Sequence, residues 1–146
     1  AVYNDERTPL DVADGEPLEF DPFSVVGGVL HPTAMPLCFS WEDGCAVGRV
    51  TLTATFSGPP ERVHGGIVAA IIDEVMGICN RVNGRRAMTA SLTVDYRAAA
   101  PLGVELEFRA RTVSDEGRKI TIECTATSPE GTFAESRGLF IVPRPT

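Results

Sequence analysis

Between Leu37 and Val142 the chain alternates apolar and polar residues in successive runs, broken once by a long apolar segment that does not alternate. Strict alternation puts one set of side chains on one face of a strand, so each run reads as a half-buried strand. Val50, Leu52, Ala54 and Phe56 share a face, with Arg49, Thr51, Thr53 and Thr55 opposite. Met88, Ala90, Leu92, Val94 and Tyr96 oppose Thr89, Ser91, Thr93, Asp95 and Arg97. Val104, Leu106, Phe108 and Ala110 make a third run, Ile120, Ile122, Cys124 and Ala126 a fourth, and Thr132 to Val142 a last. Pro101-Leu102-Gly103, Asp115-Glu116-Gly117 and Ser128-Pro129-Glu130-Gly131 mark the turns. Two of these links are short enough for hairpins, which predicts a mainly antiparallel sheet with one buried face. The exception starts at Gly65 or Gly66 and stops at Asn83-Gly84, a glycine stop suited to a helix end. At 100° per residue Ile67, Val68, Ile71, Ile72, Val75, Ile78, Cys79 and Val82 fall on one broad arc. The expected class is α+β, a mainly antiparallel sheet wrapped around one long helix.

A chain of 146 residues suits one domain with its own core. Residues 1–22 are acidic and read as a loosely ordered N-terminal arm, leaving 23–146 as a single domain. Asp21 to Pro36 has room for a short helix before a turn at His31-Pro32, with His31 structural. No apolar run reaches membrane-spanning length, since Asp73 and Glu74 interrupt the best candidate. The opening residues AVYNDERTPLD lack the basic start and apolar stretch of a signal peptide. Cys38, Cys45, Cys79 and Cys124 are widely spaced, with no C-x-x-C and no histidine partner. Free thiols of a cytoplasmic protein are therefore expected, with no metal and no cofactor. A net charge of −7 argues against nucleic acid and anionic membranes as partners; a polyanionic ligand would need a local basic patch.

Asp73 points almost opposite the centre of the helix's apolar arc, and its neighbours on that face are Ala69, Ala70, Gly77 and Asn80. A solvated face more often carries Lys, Glu, Gln and Arg, so small residues here point to a partner backbone or a ligand close to the helix. His64-Gly65-Gly66 opens the same helix. Glycines there let a substrate approach the backbone, and the first N–H groups of a helix point outward. A carbonyl oxygen on the Gly65 N–H would be polarised, and the helix dipole would help hold the charge of a tetrahedral intermediate.

Three motifs occur in order: FSGPP followed by VHGGIVAAIIDEVMG (Phe56 to Gly77), TASLTVDYR (Thr89 to Arg97), and the turn Gly117-Arg118-Lys119. With these the chain resembles the hotdog-fold thioesterases, in particular the group that includes the phenylacetate-pathway and long-chain acyl-CoA enzymes. The resemblance runs from about Pro36 to Val142. It implies a hotdog fold and hydrolysis of an acyl-CoA thioester to free acid and coenzyme A, with coenzyme A a part of the substrate. By position, Gly65 resembles the oxyanion donor, Asp73 the catalytic carboxylate and Thr89 the hydroxyl that positions the attacking water. His64 and Gly66 shape the helix start, while Asp95, Arg97, Arg118 and Lys119 match positions that contact coenzyme A. The chain departs from the phenylacetate-pathway type at Gly58, where those enzymes tend to carry asparagine. Glu74 stands beside Asp73, and some relatives use Glu as the carboxylate; the spacing of nine residues from the His selects Asp73.

Two roles for Asp73 stay open on the sequence, general base or nucleophile. The functional alternative is a non-catalytic acyl-CoA-binding or regulatory hotdog module, and a hydratase is a weaker third. Gly65 and Asp73 lie eight residues apart, about 12 Å along one helix, too far to serve a single thioester. A homodimer with shared active sites is therefore expected, the resemblance suggesting a dimer of dimers.

Overall fold

The computed structural model describes residues 9–19, 24, 26–28 and 34–144. Their elements are β1 (Glu16–Leu18), β2 (Cys38–Glu42), β3 (Cys45–Thr51), a single 3-10 turn (Ala54–Phe56), α1 (Gly65–Val82), β4 (Met88–Tyr96), β5 (Glu105–Glu116), β6 (Lys119–Ser128) and β7 (Gly131–Ile141). The strands form one sheet in the order β1-β2-β3-β5-β6-β7-β4, with every pairing antiparallel. The long connection through α1 carries the chain from the middle of the sheet to its far edge, so β4 pairs only with β7. The expected hotdog architecture is what forms.

The alternation read from sequence becomes the core. Leu106, Phe108 and Ala110 of β5 and Ile120, Ile122, Cys124 and Ala126 of β6 are buried against Ile71, Ile72, Val75, Met76 and Cys79 of α1. Phe108 and Phe133 pack edge to face at 5.8 Å, adding an aromatic contact to the burial. Each fully buried Leu, Ile or Phe contributes about 1.5–3 kcal/mol, so the helix is held mainly by its apolar arc. Two glycines let it come close to the sheet. A Cβ on Gly138 would lie 2.7 Å from Met76 Sδ, and one on Gly48 would lie 2.9 Å from Val75 Cγ2. At the helix C-terminus, Gly84 takes a φ of 71°, the left-handed conformation expected of a glycine stop.

Three expectations are revised. The strand read through Phe56 ends at Thr51, and Ala54 is exposed. After the buried Leu52 the chain turns through Ala54–Phe56, and the Phe56 carbonyl accepts from the His64 N–H at 2.9 Å. The turn thus spends residues of the apparent strand on setting the helix start. Part of the arm over 1–22 is also attached. Its residues Glu16–Leu18 pair with β2, Leu18 is buried, and the Leu10 N–H donates to the Val82 carbonyl. The apolar members of an otherwise acidic segment find the edge of the sheet and the end of the helix. Residues 1–8 and 20–22 of that arm, His31, and most of the helix expected between Asp21 and Pro36 lie outside the described residues. The third revision concerns which way Thr89 faces, and it decides the site.

Candidate active site

His64 is the N-cap of α1. Its extended backbone (φ −59°, ψ 134°) precedes the first helical residue, and its Nδ1 accepts the Gly66 N–H at 2.9 Å. This answers one of the orphan donors at a helix start. The imidazole lies over Gly66, where a Cβ would come 3.1 Å from Nδ1. On the other side a Cβ at Gly58 would come 3.1 Å from the His64 Cα. Small residues thus flank the capping histidine. The Ile67 and Val68 N–H groups donate to the His64 carbonyl. The Gly65 N–H, by contrast, has no hydrogen-bond partner among the described residues. It is the donor left over in the first turn, at the positive end of the helix dipole.

Thr89 comes to Asp73 through an irregularity in β4. Thr89 pairs with Phe140 and Leu92 with Gly138, both of which lie beneath the helix, and the register shifts between Thr89 and Ser91. One extra residue in a strand reverses which face the following side chains occupy. Strict alternation placed Thr89 opposite Leu92; the bulge puts both on the helix side. There the Thr89 hydroxyl donates to Asp73 Oδ1 at 2.7 Å. Asp73 is half-buried, and its neighbour Glu74 accepts instead from the Ser24 hydroxyl at 2.8 Å. The two adjacent acids therefore have separate partners, and Asp73 is the one joined to Thr89.

Both acids line a cleft of about 480 Å³, with Gly77, Asn80, Met88 and Thr89 among its walls. Gly65 is at the other end of β4, where the Tyr96 hydroxyl donates to its carbonyl at 2.7 Å. Tyr96 stood within the TASLTVDYR motif without an assigned role. Its signal was a hydroxyl-bearing ring on the apolar register of an edge strand.

The basic residues divide in the same way. Arg97 follows β4 at the Tyr96 end, where it pairs with Glu135 at 3.2 Å and with Asp95 at 3.8 Å. Arg118 and Lys119 are at the Met88 end, since Lys119 and Met88 both align with Ile141. Arg118 donates from Nε to the Val142 carbonyl. The single patch expected of Arg97, Arg118 and Lys119 is not formed within one chain, because seven residues of strand from Thr89 to Tyr96 span about 23 Å. Arg85 pairs with Asp115 and donates to the Gly117 carbonyl, tying the turn before Arg118 to the end of the helix. All four cysteines are free; burial pushes the Cys79 and Cys124 thiols up, Cys124 to about 12, which suits packing and not nucleophilic attack. Among the described residues no group of His, Cys, Asp and Glu is arranged to hold a metal ion. None of their helices is long and apolar enough to cross a membrane.

Comparison with known proteins adds to this geometry. Residues 61–135 match the thioesterase superfamily. An acyl-coenzyme A thioesterase THEM4 of Xenopus laevis is 36% identical over 91 residues, covering 58% of this chain and 39% of its own. The chain thus spans about two fifths of the length of that curated relative. A crystallised thioesterase superfamily protein superposes with a TM-score of 0.78 at 34% identity, covering 82% of this chain and 60% of the other. The E. coli PaaI protein of the phenylacetic acid degradation operon shares the fold, with a TM-score of 0.66 at 21% identity over 70% of this chain and 79% of its own. With a matched region that holds the helix start, Asp73 and Thr89, the chain belongs to the thioesterase superfamily.

Proposed function

We propose that the protein hydrolyses an acyl-CoA thioester, with Asp73 as general base, Thr89 positioning the water and the Gly65 N–H receiving the oxyanion. The observation that carries this reading is the 2.7 Å bond from the Thr89 hydroxyl to Asp73 Oδ1 beside an open cleft. With its O–H donating to Asp73 Oδ1, the Thr89 oxygen keeps lone pairs that accept from a water, while Asp73 Oδ2 is left to take that water's other proton. The water oxygen attacks the thioester carbon as Asp73 accepts the proton. The carbonyl oxygen becomes an oxyanion held by the Gly65 N–H and the helix dipole. Collapse breaks the C–S bond, and the departing thiolate takes the proton from Asp73, leaving acid and coenzyme A. The THEM4 relatives, named as acyl-coenzyme A thioesterases, support this substrate class.

The working unit in this reading is a homodimer. Gly65, Tyr96 and Arg97 gather at one end of β4, and Asp73, Thr89, Arg118 and Lys119 at the other. The outer edge of β4 has no strand partner among the described residues, and Met88 and Tyr96 on it are 68% and 52% exposed. Antiparallel pairing of two such edges across a two-fold axis brings each chain's Gly65 end to the other's Asp73 end. It also unites the two halves of the basic patch around one coenzyme A.

Asp73→Asn tests the chemistry. Its amide oxygen still accepts from Thr89, so the fold should hold while turnover falls by about 10²–10⁴-fold; wild-type turnover in Asp73→Asn with loss in Glu74→Gln would reverse the assignment. Mixing inactive Gly65→Pro and Asp73→Asn chains tests the sharing. Half the exchanged dimers should carry one working site, restoring about a quarter of wild-type activity, and no recovery despite demonstrated exchange would rule the shared site out.

A further inference from the structure

The first two residues of α1 are Gly65 and Gly66, the residue type least able to hold a helix start in shape. An oxyanion donor needs a fixed direction, because a preorganised donor acts without moving as the charge develops. The bonds around the two glycines supply what they lack. The His64 carbonyl accepts from the Ile67 and Val68 N–H groups, which holds the peptide between residues 64 and 65. The next peptide, between Gly65 and Gly66, is held at both ends. Its N–H donates to His64 Nδ1 at 2.9 Å, and its carbonyl accepts from the Tyr96 hydroxyl at 2.7 Å. The Tyr96 ring also lies along Gly65, where a Cβ would meet its atoms at 3.6 Å. The tyrosine is itself anchored. It pairs with Ala134 of β7, the Arg97 N–H donates to the Phe133 carbonyl at 2.8 Å, and Phe133 and Ala134 are buried. Past the end of β4, the Ala100 carbonyl accepts from the Val63 N–H at 2.9 Å. The chain of β4 and its exit thus grips the helix start on both sides of His64.

Resting on the thioesterase reading above, we infer that Tyr96 is a positioning residue for the oxyanion donor: by holding the Gly65 carbonyl, its hydroxyl fixes the direction of the Gly65 N–H. The φ and ψ of Gly65 relate the two peptides that flank it, so holding both peptides holds both angles. The peptide before Gly65 is fixed by the helix itself, through the two N–H groups that meet the His64 carbonyl. The peptide after it depends on two side chains, His64 at the N–H and Tyr96 at the carbonyl. Without the phenol hydroxyl that second peptide keeps one tether, and a glycine has no Cβ to limit the rotation that follows. The N–H then spends part of its time off the line to the thioester oxygen. Tyr96 acts through Gly65 in this account, so its loss lowers the rate of the chemical step and leaves substrate binding alone.

Tyr96→Phe keeps the ring against Gly65 and removes only the hydroxyl. In the full chain, with thiol release from octanoyl-CoA as the assay, kcat should fall about three- to tenfold, the share of one hydrogen bond, while KM and the melting temperature hold. The discriminating measurement is the double-mutant cycle with Gly65→Pro, which has no N–H at that position left to aim. In that background Tyr96→Phe should lower the residual kcat no further, although the carbonyl at position 65 remains. An equal fall in both backgrounds shows that the hydroxyl does not work through the Gly65 N–H and overturns the inference. Wild-type kcat in Tyr96→Phe overturns it as well, and so does a raised KM at unchanged kcat, which would make Tyr96 a substrate contact. All three leave the thioesterase reading standing; a wild type that releases no thiol from any acyl-CoA overturns both. Amide hydrogen exchange reads the same tether without turnover. The Gly66 N–H, on the peptide that Tyr96 holds, should exchange about three- to tenfold faster in Tyr96→Phe while the mid-helix amides of Ile72 and Val75 keep their rates. Unchanged exchange at Gly66 overturns the proposal.

Discussion

Replacing Gly65 by proline isolates the proposed oxyanion donor with little else disturbed. Gly65 is the first helical residue, the position where proline's fixed φ is compatible and its missing N–H removes no intrahelical bond. His64 already has the extended ψ of 134° that a residue before proline needs. The Gly65 N–H has no partner among the described residues, and the neighbouring Gly66 N–H is answered by His64 Nδ1. A Cβ at position 65 would lie 3.6 Å from the Tyr96 ring, an ordinary contact. The structural cost of Gly65→Pro should thus be within about 0.5 kcal/mol, whereas loss of one oxyanion donor costs about 2.7–4 kcal/mol in the transition state, or 10²–10³ in kcat. The assay is steady-state thiol release from an acyl-CoA, with thermal unfolding and helical circular dichroism as controls. The expected outcome is a fall in kcat of that size, little change in KM, and an unaltered melting temperature. A kcat within about threefold of wild type at full stability would refute the assignment, because no other group was left to supply the lost donor.

Removing charge at either end of β4, by Arg97→Ala or by Arg118→Ala with Lys119→Ala, should raise KM for CoA esters by about tenfold; thioesters lacking the nucleotide should be spared, and equal loss on both substrate types would indicate damage to the fold. Gly138→Val should destabilise the protein by about 1–3 kcal/mol in urea unfolding, since its Cβ meets Met76 Sδ at 2.7 Å beneath the helix; unchanged stability would mean the helix can lift from the sheet without penalty. Glu42 is held at about 2 by the Arg49 guanidinium first and the Ser40 hydroxyl second, against an ordinary 4.5. This depressed carboxyl contributes stability fully present above about pH 4.5 and lost as pH falls through about 2. With Glu42 24% and Arg49 33% exposed, screening leaves about 1 kcal/mol; Glu42→Gln should flatten the acid limb of the stability profile by that amount, and an unaltered limb would remove Glu42 from the account.

The sheet and its helix were legible because both rest on local periodicity. Ile120, Ile122, Cys124 and Ala126 bury as their spacing of two requires. Val68, Ile71, Ile72, Val75, Ile78, Cys79 and Val82 bury as the helical arc requires. Gly65 and Asp73 were legible in chemical type, as a glycine at a helix start and an acid on a face of small residues. Where alternation continued past its strand, as at Ala54 and Phe56, periodicity misled, because a 3-10 turn and a strand end look alike in a row of threonines. Glu16–Leu18 was missed for the opposite reason: three residues carry no period, and only the edge of β2 makes them a strand.

What the sequence by itself determined was the inventory of elements and the chemistry aligned on each, since hydrophobic period and residue type are properties of neighbours along the chain. Which elements meet was decided in three dimensions. Thr89 reached Asp73 only because a bulge between Thr89 and Ser91 reverses the strand's facing, an event no alternation pattern encodes. Arg97 was separated from Arg118 and Lys119 because the antiparallel order sets them at opposite ends of the sheet. The burial of Asn80 belongs to the same class of fact. An asparagine on a helix is unremarkable in a sequence, and only packing can bury both its polar atoms.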